Sequence, residues 1–287
     1  MLGMKQTPLI TLTTDFGTAD GYVGTMKGVI FGIAPDARLV DLSHRVAPQN
    51  IREAAFVLLA SYPFFPVHTV HLVVVDPGVG STRRAVALRT PVGTFVGPDN
   101  GVFSYVMARE PVETLVELVD PRYRLSRVSH TFHGRDIFAP AAAHLAAGVP
   151  VVDLGPPLSD PVMLPSPQLE VIAGGVVGQV LHVDHFGNIV TSIGELVWAG
   201  DGLVLGPVFG TARDGAQSAG CRIVAANTTV VVAGREIKGV QRAYAEVASG
   251  EVLALVGSSG YLEVAVREGS AALRLEVHPG DEVVLRF

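Results

Sequence analysis

Short β-branched apolar runs alternate with helix-spaced patterns through the first half of the chain, and polar glycine-bearing loops separate them. Leu9 to Thr13 reads as a first strand that ends in Thr14-Asp15-Phe16-Gly17-Thr18-Ala19-Asp20-Gly21. Val23, Met26, Lys27, Ile30 and Phe31 then recur at helical spacing, with Asp20 placed to cap the helix and Ala34-Pro35-Asp36 to end it. Arg38 to Leu42 predicts a second strand, Ile51 to Tyr62 a second helix, and Leu72 to Val75 a buried third strand. Asp76-Pro77-Gly78 stops that strand, since proline lacks the ladder donor and glycine permits a tight turn. Ala85 to Arg89 and Thr94 to Val96 read as further strands joined at Pro91-Val92-Gly93. Gly97-Pro98-Asp99-Asn100-Gly101 is a second polar loop, and His130 to Asp136 a third, opening an alanine-rich helix over Ile137 to Ala147. Strand-helix alternation of this kind predicts an α/β layer with a largely parallel central sheet.

The texture changes at Gly155 to Gln168, where five prolines fall close together as in a linker. Beyond it the helical pattern fades. Val171 to Val183, Ile189 to Ile193, Leu203 to Leu205, Cys221 to Val232, Val252 to Val256, Tyr261 to Val266 and Val283 to Phe287 read as strands with glycine turns. The expectation is an α/β domain over residues 1–167 and a smaller all-β, barrel-like domain over 168–287.

Composition narrows the function classes. The 287 residues are 48% hydrophobic and 17% charged, enough for well-developed cores. A net charge of −6 argues against a nucleic-acid partner. No apolar run reaches membrane-spanning length, and Met1 to Pro8 lacks a signal-peptide core, so a soluble cytoplasmic protein is expected. The single cysteine, Cys221, excludes an intrachain disulfide.

Familiar motifs are missing. Gly78-Val79-Gly80 begins a dinucleotide fingerprint, but Arg83 stands where its third glycine belongs, and no phosphate loop or nucleophile elbow occurs. The pairs His68/His71, His130/His133 and His182/His185 have a spacing that points two rings to opposite faces of a strand, so no metal site is read from them. Asp15 and Asp20 flank a strand-to-helix loop. They serve either as loop and cap acceptors or as carboxylates for ribose hydroxyls. Asp76, Arg83 and Arg84 form either a structural ion pair or, with His133, a set that combines fixed positive charge with a proton-handling group. Asp184-His185-Phe186-Gly187-Asn188 is either a turn or an aromatic face beside an amide that reads a purine edge.

Six segments together resemble the S-adenosyl-L-methionine hydroxide adenosyltransferases: Thr14 to Thr18, Val75 to Arg83, Gly97 to Gly101, Phe132 to Asp136, Phe186 to Asn188 and Ser258 to Glu263. The family comprises the adenosine-forming S-adenosyl-L-methionine hydrolases, relatives of the fluorinating and chlorinating enzymes. The resemblance implies a homotrimer with intersubunit active sites. It implies in-line attack of an activated water on the ribose 5′ carbon, giving adenosine and L-methionine with no cofactor. On this resemblance Asp76, Arg83 and His133 are the catalytic set, with Arg83 holding an incipient hydroxide and His133 the candidate base. Asp15 falls at the ribose and Asp20, a second loop acid, near the substrate, with Phe186 and Asn188 at the adenine. Asp184 falls at the methionine ammonium, and Ser259 and Glu263 on a further binding segment. The halogenating relatives carry an uncharged pair where this chain has Asp76-Pro77, which favours water over halide. The alternatives are a halogenase or a non-catalytic trimer that binds adenosine or S-adenosyl-L-methionine.

Overall fold

The computed structural model describes residues 7–206, 209 and 221–287, so the expectation for the chain start falls, for residues 1–6, outside the described part. The chain divides into two compact units, Met1–Leu164 and Pro165–Phe287.

The first unit contains β1 (Leu9–Thr14), α1 (Tyr22–Ile33), β2 (Arg38–Ser43), α2 (Ile51–Ser61), β3 (Val70–Val74), β4 (Ala85–Thr90), β5 (Gly93–Pro98), α3 (Ser104–Arg109), β6 (Thr114–Glu117) and α4 (Ala139–Ala146). Its sheet has the order β2-β1-β3-β5-β4-β6. β1 is parallel to β2 and β3, and β3 to β5, whereas β4 is antiparallel to both its neighbours. The sheet is therefore mixed, with β4 alone reversed because a hairpin turn joins it to β5. Strand alternation sorts residues to two faces. Ile10, Leu12, Leu72 and Val74 share one core cluster with Met26 and Ile30 of α1 and Ala142 of α4. Each such fully buried Val, Leu, Ile or Met side chain contributes about 1.5–3 kcal/mol. On the other face Thr11 lies opposite His71, and their side chains bond at 2.8 Å. Phe95 stacks on the His71 ring, and Tyr62 meets it edge-on. Burial holds the His71 imidazole down at about 3, so this ring packs as a neutral group.

Since β1, β3 and β5 are parallel neighbours, their C-terminal ends share one sheet edge. The loops bearing Asp15, Asp76 and Asp99-Asn100 all leave from that edge, where open α/β sheets bind ligands. Two local expectations differ. Gly21, not Asp20, occupies the cap position of α1, and Thr25 closes onto the Gly21 carbonyl through its amide and its hydroxyl. Asp20 lies one residue too early to reach the first turn and stays exposed. The last helix of the unit also begins early, with a wide π turn over Gly134–Phe138 that leads into α4.

The second unit contains β7 (Leu169–Ile172), β8 (Gly175–Val183), β9 (Ile189–Thr191), β10 (Leu196–Ala199), β11 (Gly202–Leu205), β12 (Cys221–Val224), β13 (Thr229–Val232), β14 (Arg235–Lys238), β15 (Val240–Gln241), β16 (Val252–Val256), β17 (Leu262–Val266), α5 (Ala271–Leu275) and β18 (Glu282–Arg286). Its main sheet follows β14-β13-β18-β8-β9-β17-β16-β15, with β7 beside β8, and β10-β11-β12 form a separate sheet. β14 near one end of that path contacts β16 near the other, so the sheet curls into a nearly closed barrel. Two expected single strands are each two. Ala173-Gly174 turns the run from Val171 to Val183 into the β7–β8 hairpin, and a 3-10 turn over Ala225–Asn227 separates β12 from β13. Among the described residues no helix is long and apolar enough to cross a membrane.

Candidate active site

The loop after β3 folds back on itself. Val79 N donates to Asp76 O and Ser81 N to Gly78 O, which brings Arg83 round to Asp76. Gly80, with φ at +78°, is required where the loop crosses the His130 carbonyl, because a Cβ there would lie 2.4 Å from that oxygen. Arg83 Nε donates to Asp76 Oδ1 at 2.8 Å, and its Nη2 donates to Asp76 Oδ2, a two-point fork. The side chains are 10% and 5% exposed, so the pair is largely desolvated. Phe138 lies beneath the guanidinium, 5.0 Å from Cζ to ring centre.

His133 closes the set, its Nδ1 2.8 Å from Arg83 Nη2. A guanidinium has donors and no acceptor. Nδ1 must therefore accept, and the imidazole is neutral with its proton on Nε2. Partial burial, and then the charge of Arg83, lower the His133 pKa, which favours this neutral form. The Ser129 backbone bonds the same ring, and Ser129 is itself held by Asp136 Oδ2 through its amide at 2.8 Å and its hydroxyl at 2.7 Å. Asp136 is fully buried, which would raise its pKa, but bonds from Arg135 and Ser129 outweigh burial and keep it ionised. The π turn thus anchors the histidine loop from behind. Arg84 faces elsewhere: it pairs with Asp99 at 2.7 Å and with Asp160 at 2.8 Å.

The loop after β1 holds Asp15 half-buried, its Oδ2 accepting from Gln49 N at 2.8 Å. Phe16 and Tyr22 of this loop and Phe132 of the histidine loop form a ring cluster, with centroids 5.2–5.8 Å apart. Sequence spacing gave no sign of that meeting, since Phe132 is remote along the chain.

In the second unit the loop between β8 and β9 is built around Asp184. Its Oδ1 accepts from Phe186 N and Asn188 N at 2.9 and 2.8 Å, and its Oδ2 accepts from Asn188 Nδ2 at 2.9 Å. Gly187, with φ at +85°, lets the loop press on Ser270, whose Oγ would lie 2.0 Å from a Cβ. Phe186 is left 75% exposed at the tip while Asn188 is buried. Tyr244, absent from the sequence reading, reaches Asn188 Nδ2 at 3.5 Å and donates to Glu263 Oε2 at 3.4 Å. Burial, and then the charge of Asp184, raise the Glu263 pKa. Ser259 sits half-buried in the turn before β17. Asp15, Asp76, Arg83 and His133 thus belong to one unit, and Asp184, Phe186, Asn188, Ser259 and Glu263 to the other. Among the described residues no group of three or more histidines, cysteines and carboxylates forms a metal-binding set.

Residues 10–155 match the family model for the SAM hydroxide adenosyltransferase N-terminal domain, and residues 178–284 match that for its C-terminal domain. An (R)-S-adenosyl-L-methionine hydrolase of Salinispora tropica is 41% identical over 283 residues, covering 98% of each chain. One of Thermus thermophilus is 40% identical over 95% of this chain and 97% of its own. A fluorinase of Actinopolyspora mzabensis is 31% identical over 65% of this chain and 71% of its own. A crystal structure of an uncharacterized conserved protein from Thermotoga maritima superposes with a TM-score of 0.82 at 36% identity, covering 96% of this chain and 99% of that one.

Proposed function

The chain belongs to the SAM hydroxide adenosyltransferase family, and from that premise we propose that it is an adenosine-forming S-adenosyl-L-methionine hydrolase. The observation that carries the reading is the desolvated Asp76–Arg83–His133 set in a chain so similar to named hydrolases. In the reaction the oxygen of water bonds to the ribose 5′ carbon as the bond from that carbon to sulfur breaks. The electron pair passes to sulfur, which leaves as the neutral thioether of L-methionine. No general acid is needed at that leaving group, and no cofactor.

What must be supplied is an oriented water and an acceptor for its proton. Among the described residues Arg83 Nη1 makes one bond, to Arg84 O at 3.3 Å, so its second N–H is the donor that holds the water oxygen. Each Asp76 oxygen keeps a lone pair beyond its bond to Arg83, which makes this carboxylate the nearest proton acceptor. The lone pair of His133 Nδ1 is taken by Arg83, so the histidine holds the guanidinium rather than acting first as base. A buried carboxylate beside the nucleophile also disfavours halide, which sets the hydrolase reading above the halogenase.

For the substrate, Asp15 Oδ1 meets the ribose hydroxyls, with Asp20 on the same loop. Phe186 stacks on adenine. Asn188 commits its amide N–H to Asp184, which leaves its Oδ1 for the purine amine. Asp184, Glu263 and Ser259 face the cationic methionine end. The sets on the two units come together in a cytoplasmic homotrimer whose sites each draw on two copies, and light scattering of the purified protein tests that assembly.

The deciding experiment is product analysis in ¹⁸O-labelled water, with and without chloride. Adenosine carrying solvent oxygen, together with methionine, is expected. A 5′-halo-adenosine would move the chain to the halogenases, and tight binding without product would make it a sensor. Phe186→Ala is expected to weaken substrate binding by about 10–100-fold with kcat nearly unchanged, the usual effect of losing one base stack. Parallel titration calorimetry and steady-state kinetics check it.

A further inference from the structure

The Gly97-Pro98-Asp99-Asn100-Gly101 loop supplies none of the residues assigned above to catalysis or substrate binding, yet its two polar residues grip both ends of the catalytic loop. Asn100 Nδ2 donates to Val75 O at 2.9 Å, and Val75 is the residue before Asp76. The same side chain accepts from Val102 N through Oδ1, which fixes its orientation at the start of the following turn. At the other end Asp99 N donates to Arg84 O at 2.9 Å, and Arg84 is the residue after Arg83. That carbonyl is also the one that receives Arg83 Nη1. Asp99 then holds the Arg84 side chain, accepting from its Nε at 2.8 Å, while its other oxygen accepts from Val162 N. Asp99 is only 6% exposed, so these bonds are shielded from water.

We propose that Asp99 and Asn100 are positioning residues for the hydrolysis, two consecutive side chains at the end of β5 that clamp both stems of the Asp76–Arg83 loop. The inference rests on the hydrolase reading for its kinetic arm. Its logic is mechanical. The loop between Asp76 and Arg83 is mostly small residues with little packing of its own, so its closed form depends on where its ends are held. β5 is a buried strand between β3 and β4, and it supplies a rigid base for that grip. Loosening either stem lets the Asp76–Arg83 fork rotate by a fraction of an ångström, which is enough to misplace a water aimed at a carbon.

Asn100→Ala removes the tether to Val75 O. Asn100→Asp keeps size and the acceptor for Val102 N but sets an anionic oxygen against Val75 O in place of the donor, and serves if the alanine variant does not fold. Each is expected to lower kcat on the order of 10–100-fold with KM unchanged. Arg122→Ala, which breaks an exposed pair with Asp120, is the control and should leave both constants as they are. The Arg83 Nε–H proton resonance, assigned by its loss in Arg83→Lys, gives a second readout. It should be slowly exchanging in the parent protein and broadened by exchange in the Asn100 variants. An unchanged Arg83 resonance, or an unchanged kcat in a protein that does turn over S-adenosylmethionine, overturns the clamp. If the parent protein shows no turnover, the hydrolase reading is the one that has failed, and the resonance alone decides the clamp.

Discussion

Arg83→Ala is expected to lower kcat on the order of 10³-fold while S-adenosylmethionine still binds. Four interactions converge on this guanidinium: the fork to Asp76, the bond to His133 Nδ1, the bond to Arg84 O and the face of Phe138. All are made within unit 1 and none depends on the adenine or methionine contacts, so loss of the side chain removes stabilisation of the developing oxygen charge rather than substrate affinity. Loss of one preorganised donor at such a centre typically costs 10²–10³ in rate. The truncation also leaves Asp76, 5% exposed, without its counter-ion. An unpaired buried charge of that kind costs about 3–5 kcal/mol unless it is neutralised. A lower melting temperature is therefore expected alongside the kinetic loss. Arg83→Lys should restore most of the melting temperature but little of kcat, since one ammonium cannot bond two carboxylate oxygens and an imidazole in that geometry. Single-turnover rates, calorimetric binding and thermal melts of the three proteins make the comparison. Binding lost in step with activity would remove Arg83 from the catalytic role.

The parts of the chain legible in sequence were those encoded locally. The run from Leu72 to Val75, stopped by Asp76-Pro77, defines a buried strand with a carboxylate at its end, and β3 is that strand. The proline cluster between Gly155 and Gln168 brackets the Leu164–Pro165 division. Turn chemistry was less visible. Ala173-Gly174 interrupts a run whose apolar pattern continues on both sides, so periodicity alone merged β7 and β8. The reversal of β4 follows from a short hairpin connection rather than from strand composition. Asp20 has the residue type of a helix cap and sits one position from it, and cap geometry depends on backbone angles that composition does not encode. At the site, the residue types of Asp76, Arg83 and His133 suggested chemistry, but their meeting is tertiary. The same is true of Asn100 on Val75 O and of Tyr244 between Asn188 and Glu263.

That tertiary contact changes how the proton is assigned, and Asp76→Asn tests it. Sequence chemistry favours His133 as the base, because imidazole titrates near neutrality. The geometry gives its Nδ1 lone pair to a permanent donor, and only the Asp76 carboxylate keeps lone pairs to spare. Asp76→Asn is therefore expected to reduce kcat on the order of 10³-fold at every pH between about 5 and 9, with no alkaline recovery. His133 sets a different signature. It must be neutral to accept from Arg83, and burial with the Arg83 charge lowers its pKa below the ordinary value of about 6.5. The arrangement is thus held at neutral pH and is lost as the pH falls through the lowered value, so the acid limb of kcat lies below pH 6.5. The Asp76 charge is one of the influences that raise the His133 pKa, so removing it moves any residual acid limb to still lower pH. His133→Ala should lower kcat less than Asp76→Asn does, and should abolish that acid limb. Had His133 been the base, the order would invert: Asp76→Asn would keep substantial activity with a limb displaced downward, and His133→Ala would be the dead variant. A pH–rate profile of the parent protein and both variants separates the two assignments.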